Sequence, residues 1–143
     1  MVDRNTAVNE VEKLVTENKM MQTKIKRNLD TIMELGFKIA QEIVGVEPGD
    51  RVISIKGMVG GSNKPTLWVV KTVKFCWHNW WIDIKYGREP SIELVVRRIL
   101  DRDGSESERE DTLVNEKWVK VENGDMAAAI EKLRPHFRKY RRW

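Results

Sequence analysis

The sequence predicts an α+β fold. A long N-terminal helix with coiled-coil character leads into a five-stranded antiparallel sheet rolled into a small SH3-like or OB-like barrel, and a short C-terminal helix follows. Three observations predict this. Asp3 to Val44 contain no proline and only one glycine, Gly36, and their apolar residues recur at helical spacing. Between Arg51 and Glu122, short alternating runs are separated by turn residues. Asp125, after Asn123-Gly124, stands where an N-cap belongs, ahead of the helix-forming run MAAAIEKLR. The corresponding divisions are 1–45 for an oligomerising helix, 46–123 for the β domain, and 124–143 for the C-terminal helix and a basic-aromatic tail.

The first helix carries a heptad pattern. Position a falls on Val11, Asn18, Ile25, Ile32 and Ile39, and position d on Ala7, Leu14, Met21, Asn28 and Leu35. Only the two asparagines among these are polar. Position e adds Val8, Val15, Leu29 and Ile43. A helix of about 40 residues is about 60 Å long, longer than a domain of about 100 residues can cover. Its stripe therefore calls for a second chain, with Val11, Leu14, Asn18, Met21, Ile25 and Ile32 as the oligomerisation residues. β-Branched residues at a with Leu at d favour a parallel dimer, and a buried Asn18 would fix its register. The wider stripe from Ile25 onward is expected to pack on the rest of its own chain as well.

Val46-Glu47-Pro48-Gly49-Asp50 reads as a turn. The strands expected after it are Arg51–Met58, Leu67–Trp77, Trp80–Tyr86, Ile92–Leu100 and Leu113–Glu122, with loops at 57–66, 78–79, 87–91 and 101–112. The stretch FCWHNWWI places three of the six tryptophans within five positions. If His78-Asn79 is a two-residue hairpin turn, Trp77 faces Trp80, Phe75 faces Ile82, and Val73 faces Ile84 on one apolar surface. The other surface then pairs Lys74 with Asp83 and leaves Trp81 over.

By parity Trp68 joins Trp81, and Trp118 joins them if Val119 and Val121 point inward. The expected ligand surface is thus Trp68, Trp81 and Trp118 among Lys74, Lys85, Arg97 and Lys120. Flat indoles beside cations suit base stacking with phosphate neutralisation. The structural alternative is that this face is covered by a helix or a second subunit, as large apolar patches usually are.

The net charge of +4 resides largely at the end of the chain: Arg134 to Trp143 hold five cations and no carboxylate. Arg138, Lys139, Arg141 and Arg142, interleaved with Phe137, Tyr140 and Trp143, suit phosphate contacts; the plainer reading is a frayed, solubilising end or aromatics that pin the terminus to the body. Residues 101–112 resemble a calcium loop only in composition, because Gly104 comes two places early and Thr112 stands where Glu is needed. Cys76, His78 and His136 form no metal-ligand or nucleophile motif, so neither metal nor cofactor is expected. One cysteine makes no internal disulfide, and no run approaches the ~18 apolar residues of a membrane span. A cytoplasmic protein without membrane contact is the expectation.

Two functions fit. The first is a non-enzymatic homo-oligomeric binder of nucleic acid or a nucleotide, suited to a compact regulatory protein of a phage or mobile element. The second is an inhibitor or adaptor that docks on a protein through its tryptophan face and long helix.

Overall fold

The computed structural model describes residues 3–56, 64–114 and 117–140, with side chains described through Phe137. The elements run α1 (Arg4–Val44), β1 (Arg51–Ser54), β2 (Thr66–Phe75), α2 (Trp80–Lys85), β3 (Ile92–Ile99), β4 (Glu106–Leu113), β5 (Trp118–Lys120) and α3 (Met126–Leu133), closed by a 3-10 helix, Arg134–Tyr140. Two compact units are distinguished: the first ends at Leu35 and the second begins at Gly36. No helix among the described residues is long and apolar enough to cross a membrane.

The first unit is helix alone. Its apolar residues are at solvent, with Val11, Leu14, Met21 and Ile25 half or more exposed and Ile32 at 37%. The expectation that the stripe packs on its own chain from Ile25 holds only later: Gly36 and Ala40 are the buried residues of α1.

In the second unit, α1 stops where the amide of Gly45, at φ +71°, donates to the carbonyl of Gln41, the left-handed exit that glycine makes inexpensive. Asp50 Oδ2 accepts from the Glu47 amide at 3.0 Å and closes the predicted turn. The turn is stitched to β2, where Gly49 N donates to Val70 O and Val70 N to Asp50 O, both at 2.8 Å.

The sheet is antiparallel and five-stranded, in the order β4-β3-β2-β1-β5. It is open, with β4 and β5 at its edges, and so does not close into a barrel. It is strongly curled nonetheless. Three interstrand spacings, about 14 Å if flat, separate β1 from β4, yet Lys56, just past β1, donates to the Thr112 carbonyl of β4 at 2.6 Å.

Two of the five strands differ from expectation. Residues 80–86 are not a strand: at Val73 and Phe75 it is β3 that pairs with β2, while β1 reaches only to Val69 on the other side. Phe75 pairs with Ile92 and Val73 with Leu94, the places a hairpin at His78-Asn79 would give to Ile82 and Ile84, and the segment coils into α2 instead. Conversely ESEREDTL, read as loop, is edge strand β4, in register with β3 from Arg97↔Glu110 to Leu94↔Leu113. Only Leu113 of it is buried. Its carboxylates meet cations of the sheet: Lys71 with Glu106, Arg97 with Glu110, and Lys56 with Asp111. A charged edge also resists pairing with other chains.

A third difference concerns alternation. Register shifts between Val70 and Thr72, so Lys71 is an extra residue in β2. A bulge of one residue reverses which side chains face which way beyond it. Trp68 and Val70 therefore share a face with Val73 and Phe75 rather than with Lys74. That face forms the main core, where Trp68, Val70, Val73, Leu94, Val96 and Leu113 meet Val52, Ala40 and Val46, with Trp118 packed against it.

The reverse face of β1 and β5 is covered by the C-terminal helices. Ile53 and Ile55 pack with Ala129, Leu133 and Phe137, and Val119 and Val121 lie against them. Asp125 caps α3, its carboxylate accepting from Ala128 N at 3.1 Å. Phe137, only 5% exposed, anchors the tail. Pro135 is accommodated because the chain has already tightened into the 3-10 helix.

Candidate interaction surface

The segment between β2 and β3 is pinned at both ends, by the Phe75↔Ile92 pair and by the amide of Cys76 donating to Ser91 O at 2.9 Å. Within it Asn79 precedes α2 and Gly87, at φ +70°, follows it. The amides of Tyr86, Gly87 and Arg88 return to the carbonyls of Ile82, Ile84 and Asp83 and end the helix.

Trp80 is the anchor. Its indole stacks on Phe75 with ring centroids 4.8 Å apart and planes 13° from parallel. It also lies over Gly36, where a Cβ would sit 3.2 Å from Nε1. A Gly36→Val substitution would drive a γ-methyl into the indole, and a loss of about 1–3 kcal/mol is expected in urea denaturation. Unchanged stability would mean that Trp80 does not seat there.

Trp81 meets Trp80 edge-on at 5.7 Å and remains 43% exposed. Trp77 and Tyr86 are each 68% exposed, and Ile82 and Ile84 are also at solvent. Lys85 Nζ and the Arg88 guanidinium lie 5.9 and 5.7 Å from the Tyr86 ring centroid. Arg88 Nε is held 3.2 Å from Asp83. Burial, with a smaller contribution from Glu93, raises the pKa of the Cys76 thiol, and Lys74 offsets this in part. The thiol is thereby kept protonated near neutral pH and is a poor nucleophile.

The residues expected to bind a ligand do not converge. Trp81 and Lys85 both lie on α2. Trp68 is 3% exposed and donates from Nε1 to the buried Ser54 Oγ at 2.9 Å. It cannot stack on a ligand, which corrects its assignment to an open face. Trp118 shares that face, as the inward packing of Val119 and Val121 requires, but the face is the core. Lys120 reaches Asp50 at 3.4 Å and the Gly45 carbonyl at 3.5 Å. Arg97 pairs with Glu110 at 3.4 Å. Lys74 stands opposite Glu93 rather than Asp83. Of the tail cations, the side chains of Arg138 and Lys139 and all of Arg141 and Arg142 lie outside the described residues.

The exposed aromatics that sequence reasoning missed are Trp77, assigned to the core, and Tyr86. The available signal was Asn79 and Gly87 bracketing the seven-residue run WWIDIKY, a helix start and stop; its period-2 alternation concealed it. The region 101–112 is likewise resolved. Asp103 accepts from the amide and hydroxyl of Ser105 at 3.0 and 2.6 Å, bonds that lower its pKa, and the residues from Glu106 belong to β4. No group of three or more His, Cys, Asp or Glu among the described residues is placed to hold a metal ion.

No protein-family model, no curated protein and no solved structure matches the chain.

Proposed function

We propose that this chain is an oligomeric, non-enzymatic interaction protein. It self-associates through α1 and docks on a protein partner, as inhibitor or adaptor, through the α2 segment. The observation that carries the reading is the exposure of Trp77, Trp81 and Tyr86 in a charge-balanced segment: residues 74–93 hold three cations and three carboxylates. Tryptophan, tyrosine and arginine dominate the energetics of protein interfaces, whereas a phosphate-binding surface needs an excess of cations. The test is affinity capture with the full chain and with Trp77→Ala. A partner held at high salt by the parent and lost by the variant supports the reading; a partner retained equally by both overturns it.

A second reading, nucleic-acid binding, is favoured by one observation. Lys19, Lys24, Lys26 and Arg27 lie in an exposed stretch of α1, residues 18–29, that contains no carboxylate. If these cations contact four phosphates, affinity for duplex DNA should fall roughly a hundredfold between about 50 and 200 mM salt. A flat salt response in filter binding or fluorescence anisotropy would remove this reading.

A further inference from the structure

We infer that α1 pairs with a second copy of this chain in antiparallel orientation, centred at residue 23. This deepens the self-association proposed above and rests on it. The argument comes from the two ridges that flank the seam. The e ridge is apolar, with Val8, Val15 and Leu29 interrupted by Gln22; the g ridge is polar, with Glu10, Glu17, Lys24, Thr31 and Lys38.

In a parallel pair, g faces e of the partner. Glu10 would then lie against the partner's Val15, and Lys24 against the partner's Leu29. In an antiparallel pair, e faces e and g faces g. Val15 then meets the partner's Leu29, Gln22 meets the partner's Gln22, and Glu10 meets the partner's Lys38, so that apolar and polar ridges are each matched with their own kind. Lys24 faces its own copy across the two-fold, an exposed repulsion that solvent and salt screen.

The core selects the same register. Centred at residue 23, Val11 packs on the partner's Leu35, Leu14 on the partner's Ile32, and Met21 on the partner's Ile25. Asn18 meets the partner's Asn28, so both polar core residues find an amide to bond. A slip of one heptad toward the N-terminus would bring Glu17 near the partner's Lys24, but it would set Asn18 against Met21 and Asn28 against Val11. Leaving buried amides without partners costs more than exposed ion pairs return, and the centred register wins. All the seam side chains needed are at solvent: Val11, Leu14, Met21, Ile25 and Leu35 are half or more exposed. The preference for a parallel pair needs Leu at d beside β-branched a residues; here only Leu14 and Leu35 of the five d residues are Leu, so the flanking ridges decide.

The test uses the full chain in a Cys76→Ser background, with Asn18→Cys and Asn28→Cys made separately. Each variant alone sets two asparagines against cysteine and pairs less tightly, whereas the mixed dimer keeps one Asn18–Asn28 contact and brings the two cysteines together, so mixing favours it. Under mild oxidation neither variant alone should cross-link, and an equimolar mixture should yield a disulfide-linked dimer. Cross-linking of either variant alone overturns the orientation and leaves self-association standing. A parent chain that sediments as a monomer overturns both. A dimeric parent whose mixed variants fail to cross-link overturns the register.

Discussion

Replacing Trp68 with alanine is expected to destabilise the fold by about 3–5 kcal/mol, the range for emptying a buried indole site. Against a total of roughly 5–15 kcal/mol for a typical domain, that is enough to unfold a large fraction of the chain on mild heating. Two effects combine. The core between Val52, Val70 and Val96 loses its largest side chain, and Ser54 Oγ, fully buried, loses its donor. They can be separated. Trp68→Phe keeps most of the volume and should cost about 1–3 kcal/mol, chiefly through the orphaned hydroxyl. Adding Ser54→Ala to Trp68→Phe should then cost less than the sum of the single changes. Equilibrium urea denaturation measures all three. A Trp68→Ala chain of parental stability would return this residue to the surface and undo the account of the bulge at Lys71.

Trp77→Ala and Trp81→Ala are expected to behave in the opposite way. Trp77 is mostly exposed, so its removal should change stability by no more than about 0.5 kcal/mol. Trp81 also gives up its edge-on contact with Trp80, worth about 0.5–1.5 kcal/mol. If these indoles anchor a partner, each substitution should weaken binding by about 2 kcal/mol or more, roughly thirtyfold in Kd. Trp118→Ala controls for loss of an indole: it should lower stability while leaving affinity per folded molecule unchanged. Calorimetric titration with the captured partner, beside thermal melts of the same samples, distinguishes the two classes. Binding that survives both the Trp77 and the Trp81 substitution would mean that the partner engages another surface.

Trp68 and Trp77 mark where sequence reasoning fails: the first is expected on the open face and is buried, the second is expected in the core and is exposed. Local rules place an indole well when its neighbours along the chain decide its environment. They fail when a strand's partners decide it. Alternation carried unbroken through β2 puts Trp68 outside; one extra residue at Lys71 puts it inside. The same holds for WWIDIKY, whose alternation suits a strand but whose expected partners on β2, Phe75 and Val73, pair instead with Ile92 and Leu94 of β3. It holds in reverse for ESEREDTL, whose charged side chains disfavour a strand although its backbone pairs with β3 as well as any.

By itself the amino-acid sequence determined the long helix with its heptad stripe, the Pro48-Gly49 turn, the approximate positions of β1, β2 and β3, and the capped helix after Asp125. Each rests on contacts between residues a few positions apart, which composition and spacing encode directly. Only the tertiary structure decided the open sheet, the bulge, the edge strand β4 and the exposed aromatic segment around α2. Those depend on which backbone groups are already paired with distant strands, and hydrogen-bond competition of that kind leaves no periodic trace along the chain.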